Sequence, residues 1–333
     1  MDKSNLREVI MNYPNQLEIG RNFAKKVKPK TPKKIDNLIV CGMGGSALPG
    51  DLLREYLEFQ PTKKTAFPVI VEKGYHLPAV AGKKSLIFIS SYSGNTEETV
   101  SCLKEAINKK YSIVVFCAGG KIEEIAKKNH LPIVKYSINF PHFQPRYALT
   151  YAFAAMHQVL TNIGLSDRIP GFPKIDPRSM EVYGEELSLL TKGRTPIIYA
   201  TERYKFIAQN WKIKINENSK TPAFWNYFPE LNHNEMVGFS LAQGKFTVFF
   251  LKDEKTEKVD EINNKRLDIT KKLYEQKGIK TAIVPIKGKT FLEKILNTLV
   301  LGDWLSYYLA LQYDQDPTPV EMVENFKKKL AHK

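Results

Sequence analysis

Short apolar runs alternate with helical segments along this chain, and that alternation constrains the fold more than any other feature. The runs NLIVC (37–41), SLIFIS (85–90) and SIVVFC (112–117) contain no regular polar alternation. Strands that are covered on both faces have this pattern. Segments with helical spacing separate the runs, so the sequence predicts a parallel α/β sheet flanked by helices.

The first half contains five predicted strands and four predicted helices. The strands are expected over 37–41, 68–71, 85–90, 112–117 and 132–136, and the helices near 46–58, 96–109, 121–128 and 147–163. A proline-rich stretch without apolar periodicity follows over 166–180, and this composition is typical of a linker. We therefore predict an N-terminal subdomain over 1–165, with a leading helix, and a linker over 166–180.

The alternation resumes after the predicted linker, which indicates a second α/β subdomain over 181–333. Strands are expected over 195–201, 245–251 and 279–286, and helices over 204–219, 261–276, 291–313 and 320–330. The most apolar stretch, 292–311, is interrupted by Glu293, Lys294, Asn297 and Asp303. It is too polar to span a membrane and is interpreted as a core helix.

Composition and charge limit the class of protein. The chain has 333 residues, of which 43% are hydrophobic, and a net charge of +15. A positive field of this size suits nucleic acid, an anionic membrane or small anionic substrates. The densest basic run, KKVKPKTPKK (25–34), has few aromatic neighbours and no nucleic-acid-binding motif after it. We interpret it as a solvated connector and expect neither a nucleic acid nor a membrane as partner.

The cysteines and the N-terminus indicate the compartment. Cys41, Cys102 and Cys117 are far apart in sequence and form no C-x-x-C pair, so neither a disulfide framework nor a structural zinc site is expected. The first residues, MDKSNLREVIMNYP, contain no apolar signal region. The sequence therefore predicts a cytoplasmic protein.

A glycine-rich loop follows the first predicted strand. In LIVCGMGGSALPGD (38–51), Gly42, Gly44 and Gly45 let the backbone approach a ligand closely, and Ser46 is a suitable N-cap for the next helix. A helix N-terminus with unpaired N–H groups favours a phosphate. The loop matches neither the dinucleotide-binding fingerprint nor the P-loop, so a tight turn that serves packing alone stays an alternative.

A second loop repeats this layout in LIFISSYSGNTEETV (86–100). Ser91, Ser93 and Thr96 supply three hydroxyls after a buried strand. Asn95, with Glu98 three residues later, is interpreted as a capping-box variant that fixes the helix start. Hydroxyls beside a helix N-terminus can form a neutral phosphate site, although Ser/Thr turn hydrogen bonds alone are the alternative.

The motif SYSGNTEET (91–99) resembles the signature of sugar isomerase (SIS) domains. Together with GMGGSALPGD, QPRYA (144–148), ELNHNEMVG (230–238) and the LGDWLSYYLAL…DPTPVEMVE region (301–324), its order resembles the bifunctional phosphoglucose/phosphomannose isomerases. The resemblance covers the chain from about residue 36 to its end. It implies two flavodoxin-like SIS subdomains, a homodimer and no metal or redox cofactor.

The resemblance also implies an activity and residue roles. The substrate would be a hexose 6-phosphate, and the reaction would interconvert glucose 6-phosphate, with mannose 6-phosphate as a further candidate, and fructose 6-phosphate through a cis-enediol. Such a reaction requires a carboxylate base and a donor near the developing oxyanion. Glu235 matches the family's base and Arg146 its arginine near the sugar. The matched phosphate-binding residues are Gly45, Ser46, Ser91, Ser93 and Thr96.

Two further positions match the family less closely. Lys327, one of three consecutive lysines, stands where the family has a lysine near the sugar ring oxygen, although a solvated basic helix end is an equal alternative. The family's ring-opening histidine is missing from 251–266. His233 or Lys258 is a candidate for that role, but a histidine in a polar cluster is more often structural. The missing histidine motivates a second hypothesis, a non-catalytic sensor of sugar phosphates.

Overall fold

The computed structural model of the chain describes residues 2–255 and 258–331, without the side chains of 258, 259 and 331. It divides into two compact units. One comprises Asn12–Lys174, and the other comprises the residues up to Met11 together with those from Ile175 onward. The boundary at Ile175 lies within the segment that the sequence indicates as a linker.

The first unit is built around a five-stranded parallel sheet in the order β2-β1-β3-β4-β5. This is the flavodoxin-like order, in which ligands bind where the strand order reverses, between β1 and β3. The elements up to the unit boundary are α1 (Leu6–Met11), α2 (Tyr13–Ala24), β1 (Asn37–Cys41), α3 (Leu48–Phe59), β2 (Val69–Glu72), β3 (Ser85–Ser90), α4 (Glu97–Asn108), β4 (Ser112–Cys117), α5 (Gly120–Lys128), β5 (Ile133–Lys135) and α6 (Leu149–Asn162).

The central strands of this sheet are buried because their side chains are apolar on both faces. Every residue of β1 and β3 is buried, and Ile39 pairs with Ile70 on one side and with Ile87 on the other. The predicted bounds of β1, β3 and β4 are confirmed to the residue. The lysines of the 25–34 run are mostly exposed and lie between α2 and β1.

The second unit contains a four-stranded parallel sheet in the order β7-β6-β8-β9. Its three predicted strands are present, and the edge strand β7 is an additional strand that the sequence analysis missed. The elements are α7 (Arg178–Thr191), β6 (Thr195–Thr201), α8 (Lys205–Ser219), β7 (Phe224–Phe228), β8 (Phe246–Lys252), α9 (Lys258–Gln276), β9 (Lys280–Pro285), α10 (Phe291–Gln312) and α11 (Glu321–Ala331).

The N-terminal residues do not join the subdomain that the sequence predicts for them. The boundary of 1–165 is wrong at its start, because α1 packs with the second unit. Arg7 binds both carboxylate oxygens of Glu181 on α7 at 2.8 Å, and Tyr308 of α10 donates to the same carboxylate at 2.9 Å. Leu6 and Ile10 of α1 are buried. This ion pair and these apolar contacts hold α1 on the second unit.

The long apolar helix α10 is a core element, as predicted. Most of its residues are buried, and the carboxylate of Asp303 pairs with the Lys214 ammonium of α8 at 2.7 Å. Within residues 2–255 and 258–331, none of the helices combines the length and apolarity that crossing a bilayer requires.

Candidate functional site

The loop after β1 carries the first group of predicted phosphate-binding residues. A short 3-10 helix, Gly44–Ser46, intervenes before α3, whose N-cap is Ala47. The prediction that Ser46 is the N-cap of this helix is therefore wrong, because the additional 3-10 turn places Ser46 one residue before the N-cap position. Its Oγ accepts instead from the backbone N–H of Tyr92 at 3.0 Å, and its carbonyl accepts from Ser90 Oγ at 2.9 Å. Ser46 thus joins the two predicted loops.

The loop after β3 carries the second group. Ser91 is fully buried, and its Oγ accepts from the N–H of Gly94 at 3.1 Å and lies 3.0 Å from Thr96 Oγ1. Ser93 is exposed, and its Oγ accepts from the N–H of Asn95 at 3.3 Å. The hydroxyls are therefore arranged around one tight turn rather than spread along the chain.

The helix after this turn begins one residue later than the capping box predicts. Thr96 is the N-cap of α4, and its side chain makes no cap hydrogen bond. The Oδ1 atom of Asn95 accepts instead from the N–H of Lys121, on α5, at 3.1 Å. The capping-box interpretation of Asn95 is wrong because a backbone donor from another element takes up the side-chain oxygen.

Arg146 lies beside the loop after β1. It belongs to a 3-10 helix, Pro145–Tyr147, and is 1% exposed. A Cβ atom on Gly45 would come within 2.6 Å of the Arg146 backbone nitrogen and 2.8 Å of the Pro145 carbonyl carbon. The absent side chain of Gly45 therefore allows the arginine segment to pack directly on the loop.

These contacts bring the predicted phosphate-binding residues and the arginine to one edge of the first unit. Gly45 touches the Arg146 segment, Ser46 binds the loop after β3, and Ser91 contacts Thr96. The edge is the carboxyl end of β1 and β3, where the strand order reverses. Hydroxyls, backbone N–H groups at helix starts and a buried guanidinium together can bind a phosphate monoester.

Glu235 lies in the second unit, at the start of a 3-10 helix, Glu235–Leu241. Its half-buried carboxylate accepts two hydrogen bonds. Tyr199 Oη of β6 donates to Oε1 at 2.5 Å, and Asn226 Nδ2 of β7 donates to Oε2. These two donors hold the Glu235 carboxylate in a fixed orientation.

The asparagines of the NHNE sequence fix the backbone around Glu235. The side chain of Asn234 accepts from the N–H of Glu235 and donates to Glu230 Oε1 at 2.7 Å. Asn232 Nδ2 donates to Thr270 Oγ1 of α9 at 2.8 Å. The polar residues of this motif thus anchor the segment before Glu235 to neighbouring groups.

The hydroxyl that donates to Glu235 stays protonated. Burial raises the pKa of Tyr199 far above its usual value, with further contributions from the nearby Tyr274 and Glu235. Burial also raises the pKa of Tyr274 to about 12, and its hydroxyl lies 3.5 Å from that of Tyr199. Both phenols are therefore neutral over the whole physiological range.

A cleft of about 350 Å³ opens beside Glu235 within the second unit. Its lining is mostly apolar and aromatic, and Glu235 is the charged residue in it. Besides Glu235, the cleft is lined by Ile197, Phe224, Trp225, Gly238, Phe239, Ala242, Gln243 and Phe246. The carboxylate is thus accessible although both of its oxygens are hydrogen-bonded.

The remaining predicted residues lie on the surface of the second unit. His233 is the exposed last residue of the 3-10 helix Glu230–His233, and Lys327 is exposed on α11. Neither side chain is one of the two hydrogen-bond partners of the Glu235 carboxylate, which are Tyr199 and Asn226. The side chain of Lys258, the other ring-opening candidate, lies outside the described side chains.

Sequence reasoning missed both donors to Glu235. Tyr199 lies in TPIIYAT, whose pattern predicts only a strand, and Asn226 lies in FWNYF, outside every predicted element. The available signals were a tyrosine hydroxyl in an otherwise apolar buried strand and an amide within an aromatic run, since buried polar groups need partners.

Comparisons with known proteins agree with this architecture. The model of the bacterial phospho-glucose isomerase C-terminal SIS domain matches residues 182–330. A solved structure, hypothetical protein TT0462 from Thermus thermophilus, aligns with a TM-score of 0.69 over 99% of this chain and 91% of its own, at 13% identity. That likeness supports the two-sheet SIS fold.

Two curated relatives match along almost the entire chain. The bifunctional phosphoglucose/phosphomannose isomerase of Caldicellulosiruptor bescii is 37% identical over 97% of this chain and 98% of its own length. The protein of the same name from Aquifex aeolicus is 34% identical over 97% of each. The chain therefore belongs to the bifunctional phosphoglucose/phosphomannose isomerase family.

Proposed function

We propose that this chain is an aldose–ketose isomerase that interconverts glucose 6-phosphate, and also mannose 6-phosphate, with fructose 6-phosphate. The observation that carries the proposal is the accessible Glu235 carboxylate, which two neutral donors hold ready as a base. The hydroxyl-rich edge of the first unit and the names of the family relatives supply the substrate class.

The phosphate of the substrate would bind at the loops after β1 and β3. Ser46, Ser91, Ser93 and Thr96 offer hydroxyls there, and the N-terminal turn of α4 begins beside them, at the N-cap Thr96. Neutral donors bind a phosphate through charge-assisted hydrogen bonds without needing a lysine. This interaction would select esterified sugars and anchor the end of the sugar that does not react.

The chemistry would be a proton transfer between adjacent carbons. Glu235 would remove the proton from C2 of the aldose while the carbonyl oxygen at C1 gains a proton, which forms the cis-enediol. Return of the proton to C1, with loss of the proton from the hydroxyl at C2, gives the ketose. The positive charge of Arg146 would favour the enediolate. His233 and Lys258 are the candidates for opening the sugar ring, and Lys327 is the candidate for the lysine near the ring oxygen.

A coupled assay that starts from fructose 6-phosphate tests the proposal. Glu235→Gln keeps the shape of the side chain but removes the base, so turnover should fall at least about 100-fold. Glu275→Gln is the matched control, because this exposed glutamate of α9 pairs with Lys271 on the surface. It should keep wild-type turnover.

The outcomes separate the two functions that the sequence left open. Wild-type turnover in Glu235→Gln would remove Glu235 from the mechanism. Thermal stabilisation of the wild-type protein by fructose 6-phosphate, without any turnover, would identify a non-catalytic sensor instead. Comparing initial rates for glucose 6-phosphate and mannose 6-phosphate determines the epimer preference.

The proposal includes a homodimer in the cytoplasm, with a sugar phosphate rather than a nucleic acid or membrane as partner. A second copy is supported by α11, on which Met322, Val323, Phe326 and Leu330 expose apolar side chains in a single chain. The three buried cysteines, none in a disulfide, suit a reducing compartment. Sedimentation equilibrium should give twice the chain mass, and a monomer would contradict the dimer.

A further inference from the structure

We propose that Tyr199 and Asn226 form a two-donor clamp that positions the Glu235 carboxylate for proton transfer. The inference rests on the proposed function and assigns it two positioning residues that the sequence motifs do not include. Each residue donates to a different oxygen of the same carboxylate. Rotation of the carboxylate would break both hydrogen bonds at once.

The clamp is built on two paired strands of the second unit. Tyr199 and Asn226 are direct partners in the register of the adjacent parallel strands β6 and β7. Their side chains therefore leave the sheet on the same face, from strands about 4.8 Å apart. Two donors with this spacing can meet the two oxygens of one carboxylate. Sites supported by strands hold a geometry more tightly than sites on loops.

Each donor is itself fixed by its surroundings. The Tyr199 ring packs edge-on against Phe228 and Phe250, at centroid distances of 6.2 and 5.7 Å. The Oδ1 atom of Asn226 accepts from the N–H of Tyr227 at 2.8 Å, which turns Nδ2 toward Glu235. Neither donor needs to reorganise when the carboxylate accepts a proton.

The clamp leaves room for catalysis. A carboxylate oxygen has two acceptor directions, so one donor on each oxygen leaves a direction open on both. Glu235 borders the cleft beside β7, which makes an open direction accessible to a small molecule. A carboxylate that served structure alone would gain nothing from this access.

The test measures kcat and KM for fructose 6-phosphate in Tyr199→Phe and Asn226→Ala. Loss of one donor frees the carboxylate to rotate away from the reacting carbon, so kcat should fall about tenfold. The value of KM should change little, because the phosphate loops are untouched.

Matched controls separate positioning from general damage. Tyr204→Phe removes another buried tyrosine hydroxyl of the same unit, which donates to the Asp253 carboxylate at 2.5 Å. Asn216→Ala removes another half-buried amide, which donates to the Thr221 carbonyl at 2.9 Å. Both controls cost folding stability but should keep the wild-type kcat and KM.

The outcomes test the clamp and the base role of Glu235 separately. If Glu235→Gln abolishes turnover but the kcat values of Tyr199→Phe and Asn226→Ala match those of their controls, the clamp is wrong and the base role stands. If Glu235→Gln is fully active, the base role is wrong and the clamp falls with it. If one clamp variant does not fold, the other gives the same measurement.

Discussion

At the scale of single residues, Gly45 allows the loop after β1 and the Arg146 segment to pack against each other at the proposed phosphate site. This glycine lies against the backbone of Pro145 and Arg146, where any side chain would overlap main-chain atoms. Gly94 is restricted in a second way, since its φ of +73° is left-handed and an added Cβ would overlap the Gly119 carbonyl oxygen. Both positions must stay without side chains for the loops to converge.

Replacing Gly45 with alanine should therefore weaken the site and the fold together. The new Cβ forces the loop after β1 away from Arg146, so we expect a KM at least about tenfold higher and a stability loss of about 1–3 kcal/mol. Thermal unfolding and steady-state kinetics measure the two effects. Gly82→Ala, at a position with open space around it, is the control, and equal behaviour of both variants would contradict the argument.

His157 of α6 gives the first unit a predictable dependence on pH. Burial lowers the pKa of its imidazole to about 4, and Ser166 Oγ lies 3.1 Å from its Nε2. In the unfolded chain the imidazole titrates near 6.5. The unfolded state thus binds more protons between these values, and the free energy of unfolding should fall by up to about 3 kcal/mol as pH decreases through that window.

The pH dependence can be assigned with a histidine variant. Urea unfolding at about pH 7.5 and about pH 5 should show the loss in the wild-type protein and a much smaller loss in His157→Gln. His130→Asn changes an exposed histidine with a positive φ of 52°, which asparagine tolerates. It should keep the wild-type slope, and an unchanged slope in His157→Gln would reject the assignment.

At the scale of elements, the sequence was most informative where one local property decides the structure. The strands β1, β3, β4 and β6 are continuous apolar runs with turn residues around them, and their bounds were predicted to the residue. The strand β7 was missed because FWNYF is short and lies at the sheet edge, where Phe224 is exposed. The helix α7 was missed because the predicted linker extended over its first residues.

The same distinction holds for the candidate site. The loops after β1 and β3 could be found because their glycines and hydroxyls are contiguous in sequence. The caps predicted for Ser46 and Asn95 were wrong because their side-chain oxygens bind backbone donors from other elements. The donors to Glu235 could not be found, since Tyr199 and Asn226 come together only through the pairing of β6 with β7. Local chemistry was predictable, and tertiary partners were not.

At the scale of the whole molecule, each unit has its own parallel sheet and its own core. One core is formed around Ile39, Ile87 and Val115 of the first unit, and another around Phe228 and Phe250 of the second. The tryptophans are not shared equally, because all of them belong to the second unit, as Trp211, Trp225 and Trp304. Tryptophan fluorescence therefore reports on the second unit, whereas far-UV circular dichroism reports on both.

This division predicts how a phosphate ligand stabilises the protein. The proposed phosphate-binding hydroxyls all lie within Asn12–Lys174, so inorganic phosphate should stabilise that unit directly. At about a hundredfold excess over its Kd, the ligand should add about 2.7 kcal/mol to the free energy of unfolding. The shift should appear in the dichroism transition and be much smaller in the fluorescence transition. A chloride salt without sulfate, at matched ionic strength, is the control. Equal shifts of the dichroism and fluorescence transitions would show that the effect is not confined to the first unit.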